Sequence, residues 1–151
     1  MTRFCRICRL LLAAVLAAAT PLSHAAEISF FDDGPLAGSG LPFSESVRAG
    51  DLLFLSGQLG TGADGELVAG GIEAEAEQTL RNITAALQRR GLSLTDVDKC
   101  TVFLADIAEW PRFNEVYKRH FQPPYPARSA FGARGLALGA RVEVECIAAY
   151  R

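Results

Sequence analysis

Two runs of strand length, the apolar Leu52–Gly57 (LLFLSG) and Lys99–Leu104 (KCTVFL), rich in β-formers, bracket one long helical pattern. This order constrains the fold more than any other feature of the chain. Between the runs, Ala76, Leu80, Ile83 and Leu87 recur at helical spacing and give one apolar stripe. Glu73, Glu75 and Glu77 crowd the start of that stretch, and Arg89 and Arg90 close it, signs that complement the helix dipole. Gly91 then suits a C-terminal cap, and the pattern predicts a helix over 72–90. The first run is apolar at consecutive positions, which predicts a strand buried on both faces.

A second helix is expected after the second run. Asp106 and Glu109 have capping-box spacing, and Pro111 places the regular helix from about Glu109. Trp110, Phe113, Tyr117, His120 and Phe121 form an aromatic stripe, and QPPYP at 122–126 ends it. Ala127–Ala133 reads as extended, Gly135 and Gly139 bracket a turn, and Arg141–Ala149 alternates as a terminal strand. With a short strand at Ser44–Val47, the order is strand, strand, helix, strand, helix, strand, strand. That predicts an α/β (α+β) domain in which two β-α-β units share a single sheet with both helices on one face. The other face carries Glu143 and Glu145 among apolar neighbours. Such a face needs cover, and an oligomer is expected.

Ahead of this domain, Arg3, Arg6 and Arg9 precede the apolar run LLLAAVLAAA, and Ser23-His24-Ala25-Ala26 supplies small residues of the A-x-A type. This is the pattern of a secretory signal peptide over 1–26. The apolar run is too short to span a bilayer, so no stable membrane anchor is expected after cleavage. Secretion, or export to a bacterial periplasm, follows as an expectation. Residues 27–42, rich in Gly, Pro, Ser and Asp, are expected to form an irregular arm, and 43–151 the folded domain.

Half of the 151 residues are apolar and 21% are charged, which fits one ordinary core and excludes a solvating disordered chain. A net charge of −2 argues against a general nucleic-acid binder. Four Cys are too few for a disulfide-built scaffold, and Cys5 and Cys8 lie in the leader. Cys100 and Cys146 are expected as two buried strand thiols, a bridge being the alternative that export permits. His120 has no partner at metal-ligand spacing and is expected to sit at a helix end as a dipole partner or half-buried ring. No metal site is expected. The chain lacks G-x-S-x-G, a phosphate loop and G-x-G-x-x-G. Glu143 and Glu145 read as paired acid/base carboxylates or as a solvated strand face. Arg128, among small and apolar residues, reads as a structural ion-pair partner or as a receptor for a carboxylate, which its planar fork fits.

Six segments in order decide between these readings: LLFLSGQLG (52–60), GGIEAEAEQTLRNI (70–83), KCTVFLADI (99–107), FNEVYKRHF (113–121), PPYPARSAF (123–131) and VEVECIA (142–148). Together they resemble the reactive intermediate deaminase family, known as Rid or YjgF, over about Leu41–Ala149. The resemblance implies a chorismate-mutase-like fold and a homotrimer, with the sheets around a barrel-like centre and the active sites between subunits. It implies hydrolysis of small imino and enamino acids to 2-oxo acids and ammonia, with no cofactor. In that family's pattern Arg128 matches the arginine that binds the substrate carboxylate, and Glu143 the glutamate that positions water. Ala130 matches the position whose main chain meets the imine nitrogen region. Ser56 and Gly57 in L-S-G-Q, and Asn114 in F-N-E-V-Y, match positions that line or support the cleft. Phe43 stands where many members carry Tyr, so the ring is kept and its hydroxyl is lost. A non-catalytic trimeric binder of 2-oxo acids or other small carboxylates is the alternative, since Arg128 would serve both.

Overall fold

The computed structural model describes residues 26–151. All of the expected leader except its last residue lies outside them. Seven strands and two helices follow in the order β1 (Ile28–Phe31), β2 (Ser46–Ala49), β3 (Leu52–Leu55), β4 (Gln58–Leu59), α1 (Gly71–Arg89), β5 (Val97–Leu104), α2 (Trp110–His120), β6 (Ala127–Gly132) and β7 (Val142–Ala149). Both helices begin within about a residue of where the sequence places them. Pro111 occupies the first turn of α2, and Asp106 accepts from the backbone N–H of Ala108 in the 3-10 turn that precedes it.

One sheet holds all seven strands, in the order β1-β2-β3-β7-β5-β6, with β4 pairing β7. β3 and β5 each run antiparallel to β7, so they are parallel to one another with the last strand inserted between them. β5 and β6 pair directly in parallel, and α2 makes the crossover. These are the two β-α-β units expected from the sequence, and both helices pack on one face. The core between them is built from alternate strand residues (Leu53, Val102, Leu104, Val142, Val144) and the stripes Leu80, Ile83, Leu87 and Phe113, Val116. The mixed α+β architecture is as predicted.

Three local expectations are corrected. The arm is not irregular throughout, because Ile28–Phe31 pairs antiparallel with β2 as the edge strand. β3 is not buried on both faces: Leu53 and Leu55 face the helices, whereas Leu52 and Phe54 are each 40% exposed. Helices cover only one side of the sheet, so within one chain the second face stays open. Cys100 and Cys146 are not free thiols but a disulfide. They stand directly opposite in the antiparallel β5–β7 ladder, with Cα atoms 4.1 Å apart.

The open face is mostly apolar. Register places Phe30, Val47, Phe54 and Ile147 in one row across it. Phe131 stacks on Phe103 near the far edge, with ring centroids 6.3 Å apart. Glu143 and Glu145 share this face, as the alternation of the last strand predicts.

The arm and the segment that follows it are held to the C-terminal end of α1 by two ion pairs, Arg90–Asp33 and Arg89–Glu45, and Arg90 also lies over the Phe31 ring at 4.0 Å. His120 pairs with Glu77 of α1 at 3.1 Å, so it joins the two helices instead of serving only its own helix end. That contact is the leading cause of a Glu77 pKa below the usual carboxylate range.

Candidate active site

Arg128 enters from β6, the outermost strand beyond β5, and its side chain lies on the helix-covered side. One of its terminal N–H groups donates to Asn114 Oδ1 at 2.7 Å. Its guanidinium carbon is 4.5 Å from the centre of the Tyr117 ring and 5.8 Å from that of Phe113. Among the described residues it takes part in no ion pair, unlike Arg89, Arg90 and Arg141. A cleft of about 310 Å³ opens beside it, lined by Asn114, Tyr117, Lys118, Tyr125, Pro126 and Arg128. Burial pushes the Tyr117 phenol up to about 12, despite the opposing charge of Arg128, so this ring stays neutral across working pH. A cation without a carboxylate partner among the described residues, at the wall of a cleft, has donors free to meet an anion.

Glu143 lies on the other face of the sheet. Its carboxyl is pushed above the usual carboxylate range, first by desolvation and then by the charge of Glu145. Gly57, in the turn between β3 and β4, gives it room. A Cβ there would collide with the Glu143 carboxylate. Ser56 faces a different task, because its hydroxyl donates to Ser44 O at 2.7 Å and its N–H to Glu45 O at 2.9 Å. Ser56 therefore ties the end of β3 to the segment that carries Phe43, a residue 49% exposed. Ala130 sits opposite Val102 in the β5–β6 ladder, two residues beyond Arg128 on the same side.

The predicted residues thus fall into two groups within one chain. Arg128, Asn114 and Ala130 form the first, and Glu143, Gly57, Ser56 and the Phe43 segment the second. β5 separates β6 from β7, and Arg128 stands level with Cys100 whereas Glu143 stands level with Phe103. The backbones are therefore about 10 Å apart across the strands and about 10 Å along them. Their side chains also project from opposite faces. Sequence reasoning did not single out Tyr117, Lys118 or Tyr125 as cleft residues. The available signal was the helical offset of three between Asn114 and Tyr117.

Comparison with known proteins gives one consistent answer. The family model described as Endoribonuclease L-PSP matches residues 37–150. A bovine protein named 2-iminobutanoate/2-iminopropanoate deaminase is 45% identical over 108 residues, covering 71% of this chain and 79% of its own. Its human counterpart of the same name is 40% identical over the same shares. Among solved structures, yeast YEO7 superposes with a TM-score of 0.77 at 37% identity, covering 83% of this chain and 100% of that one. RidA from an Antarctic Psychrobacter gives 0.71 at 33% identity, over 84% and 99%. With the family model spanning most of the sequence and relatives this similar, the chain belongs to the Rid (YjgF) family.

Proposed function

We propose that this chain hydrolyses 2-imino acids and their enamine tautomers to 2-oxo acids and ammonia. The observation that carries the reading is Arg128, held at a cleft by Asn114 and Tyr117 and without a carboxylate partner among the described residues. Relatives named as iminobutanoate and iminopropanoate deaminases support the same substrate class.

Arg128 fixes the substrate carboxylate by charge-assisted hydrogen bonds and so orients the electrophilic carbon of the C=N bond. Glu143 accepts a proton from water as its oxygen attacks that carbon. With the imine nitrogen protonated, the C=N electron pair moves to it as the C–O bond forms, giving a neutral carbinolamine. Glu143 then passes its proton to the carbinolamine nitrogen, the C–N bond breaks as the hydroxyl oxygen forms the C=O bond of the 2-oxo acid, and the hydroxyl proton leaves with ammonia as ammonium. A carboxylate with a raised pKa is the stronger base for the first step, and the proton it takes there is the one returned in the last.

Opposite projection of Arg128 and Glu143 favours a site shared between copies of the chain, Arg128 from one and Glu143 from the next. The exposed apolar rows on the open sheet face support the same assembly, a homotrimer with the sheets turned inward. The leader pattern and the Cys100–Cys146 bridge both support an oxidising destination, outside the cell or in a bacterial periplasm.

The test is release of 2-oxo acid and ammonia from imino acids generated in situ by an amino-acid oxidase, with semicarbazide as competing trap. Acceleration by the protein supports the deaminase. Binding of a 2-oxo acid without acceleration favours the non-catalytic carboxylate binder. A salt-sensitive RNA complex would support the activity named in the family model's description, against which the net charge argues.

Gly57→Ala provides a separate check on Glu143. The added methyl meets the end of a flexible side chain and not a backbone atom, so the fold gives way cheaply while the carboxylate is displaced. The variant is expected to melt close to the wild type and to lose about tenfold or more in kcat, by analogy with small misplacements of a catalytic group. Thermal melts and the same assay read both quantities.

A further inference from the structure

We propose that Tyr117 is a positioning residue for Arg128, whose guanidinium plane is held by the ring, not the hydroxyl, of this tyrosine. The inference deepens the deaminase reading and rests on its assignment of Arg128 as the carboxylate anchor.

Asn114 and Tyr117 lie three residues apart on α2 and therefore face the same way. One accepts a hydrogen bond from the guanidinium and the other offers it a flat π surface. That surface is closely packed. Tyr117 is only 4% exposed, and its ring stacks on Phe121 with centroids 4.4 Å apart and planes inclined by 22°. Phe113 braces it from one turn earlier at 5.8 Å. Arg128 thus caps a stack of aromatic rings rooted in the core.

The hydroxyl takes no part in this arrangement. Tyr117 Oη is buried and has no hydrogen-bond partner among the described residues. A buried phenol kept for its O–H is ordinarily paired. The contact made by this side chain at the site is made by its face. Stacking uses none of the guanidinium's donors, and Asn114 uses one, so the rest remain for a planar carboxylate. A long side chain on an edge strand would otherwise lose rotamer freedom when substrate binds. The ring removes that freedom beforehand.

The experiment compares wild type, Tyr117→Phe and Tyr117→Leu, with Tyr117→Met as the replacement if the leucine variant does not fold. Two readouts are taken: KM and kcat for an imino acid, and the mobility of the Arg128 side chain from its Nε–H resonance in nitrogen-15-labelled protein, identified by its absence in Arg128→Lys. Tyr117→Leu is expected to raise KM about tenfold, with the effect in KM and not kcat, and to sharpen the Arg128 signal toward that of a mobile side chain. Tyr117→Phe is expected to restore wild-type KM and wild-type order. An Arg128 signal as rigid in Tyr117→Leu as in the wild type overturns the proposal. So does a phenylalanine variant as impaired as the leucine one, which would return the role to the hydroxyl. Absence of turnover by the wild type would defeat the deaminase reading alone, since the resonance still decides whether Tyr117 orders Arg128.

Discussion

Arg128→Ala is expected to lower kcat/KM for 2-imino acids by about two to three orders of magnitude, the cost of removing one member of a desolvated charge pair. Its melting temperature should change little. Arg128 belongs to no ion pair among the described residues, so truncation strands no carboxylate in the core. Arg128→Lys should fail nearly as badly, because an ammonium keeps the charge but loses both the fork and the flat face that Tyr117 holds. The semicarbazone assay, run beside thermal melts, separates this outcome from misfolding. Unchanged turnover in Arg128→Ala would remove the arginine from the mechanism.

Glu143→Gln should lower kcat by about two to four orders of magnitude, the range for loss of a positioned general base. Its effect on stability should run the other way. Burial and Glu145 raise the Glu143 pKa in the folded state, so the fold favours the protonated carboxyl. That contribution is complete below the unfolded pKa and is lost as pH rises through the folded one. At pH values above the folded pKa the wild type carries the unfavourable charge, and there the glutamine variant should melt at or above it. The rising limb of the wild-type pH–rate profile should lie above the usual carboxylate range. Glu145→Gln, which removes the second of the two causes, should move that limb to lower pH. A limb that stays in place would mean that another group titrates.

The helices and the inner strands were legible because burial imposes a period on the sequence. Ala76, Leu80, Ile83 and Leu87 can share a face only in a helix. The alternation at the end of the chain likewise predicted which side of β7 holds Glu143. β1 was hidden because four residues at an edge have one pairing partner, and the Gly-, Pro- and Asp-rich stretch after them masks the signal. The continuous apolar run of β3 was misleading in a single chain, since it encodes a face that helices do not cover. The disulfide could not be read from spacing. Cys100 and Cys146 are 46 residues apart, and only the pairing of β5 with β7 sets them opposite. Arg128 and Glu143 were singled out through the family pattern as candidates, but their projection from opposite faces depends on register across three strands. Tyr117 was visible only as one more aromatic in a core stripe, because neither its ring stack nor its contact with Arg128 has a local signature.

That opposite projection has a genetic consequence. A chain without Arg128 still offers an intact Glu143, and a chain without Glu143 still offers an intact Arg128. With the site shared between copies as proposed, two null alleles, one for each residue, should complement when expressed together. In the proposed homotrimer, random mixing would leave about a quarter of the interfaces with both wild-type side chains. Each allele alone would be dead, and their mixture would recover activity in proportion.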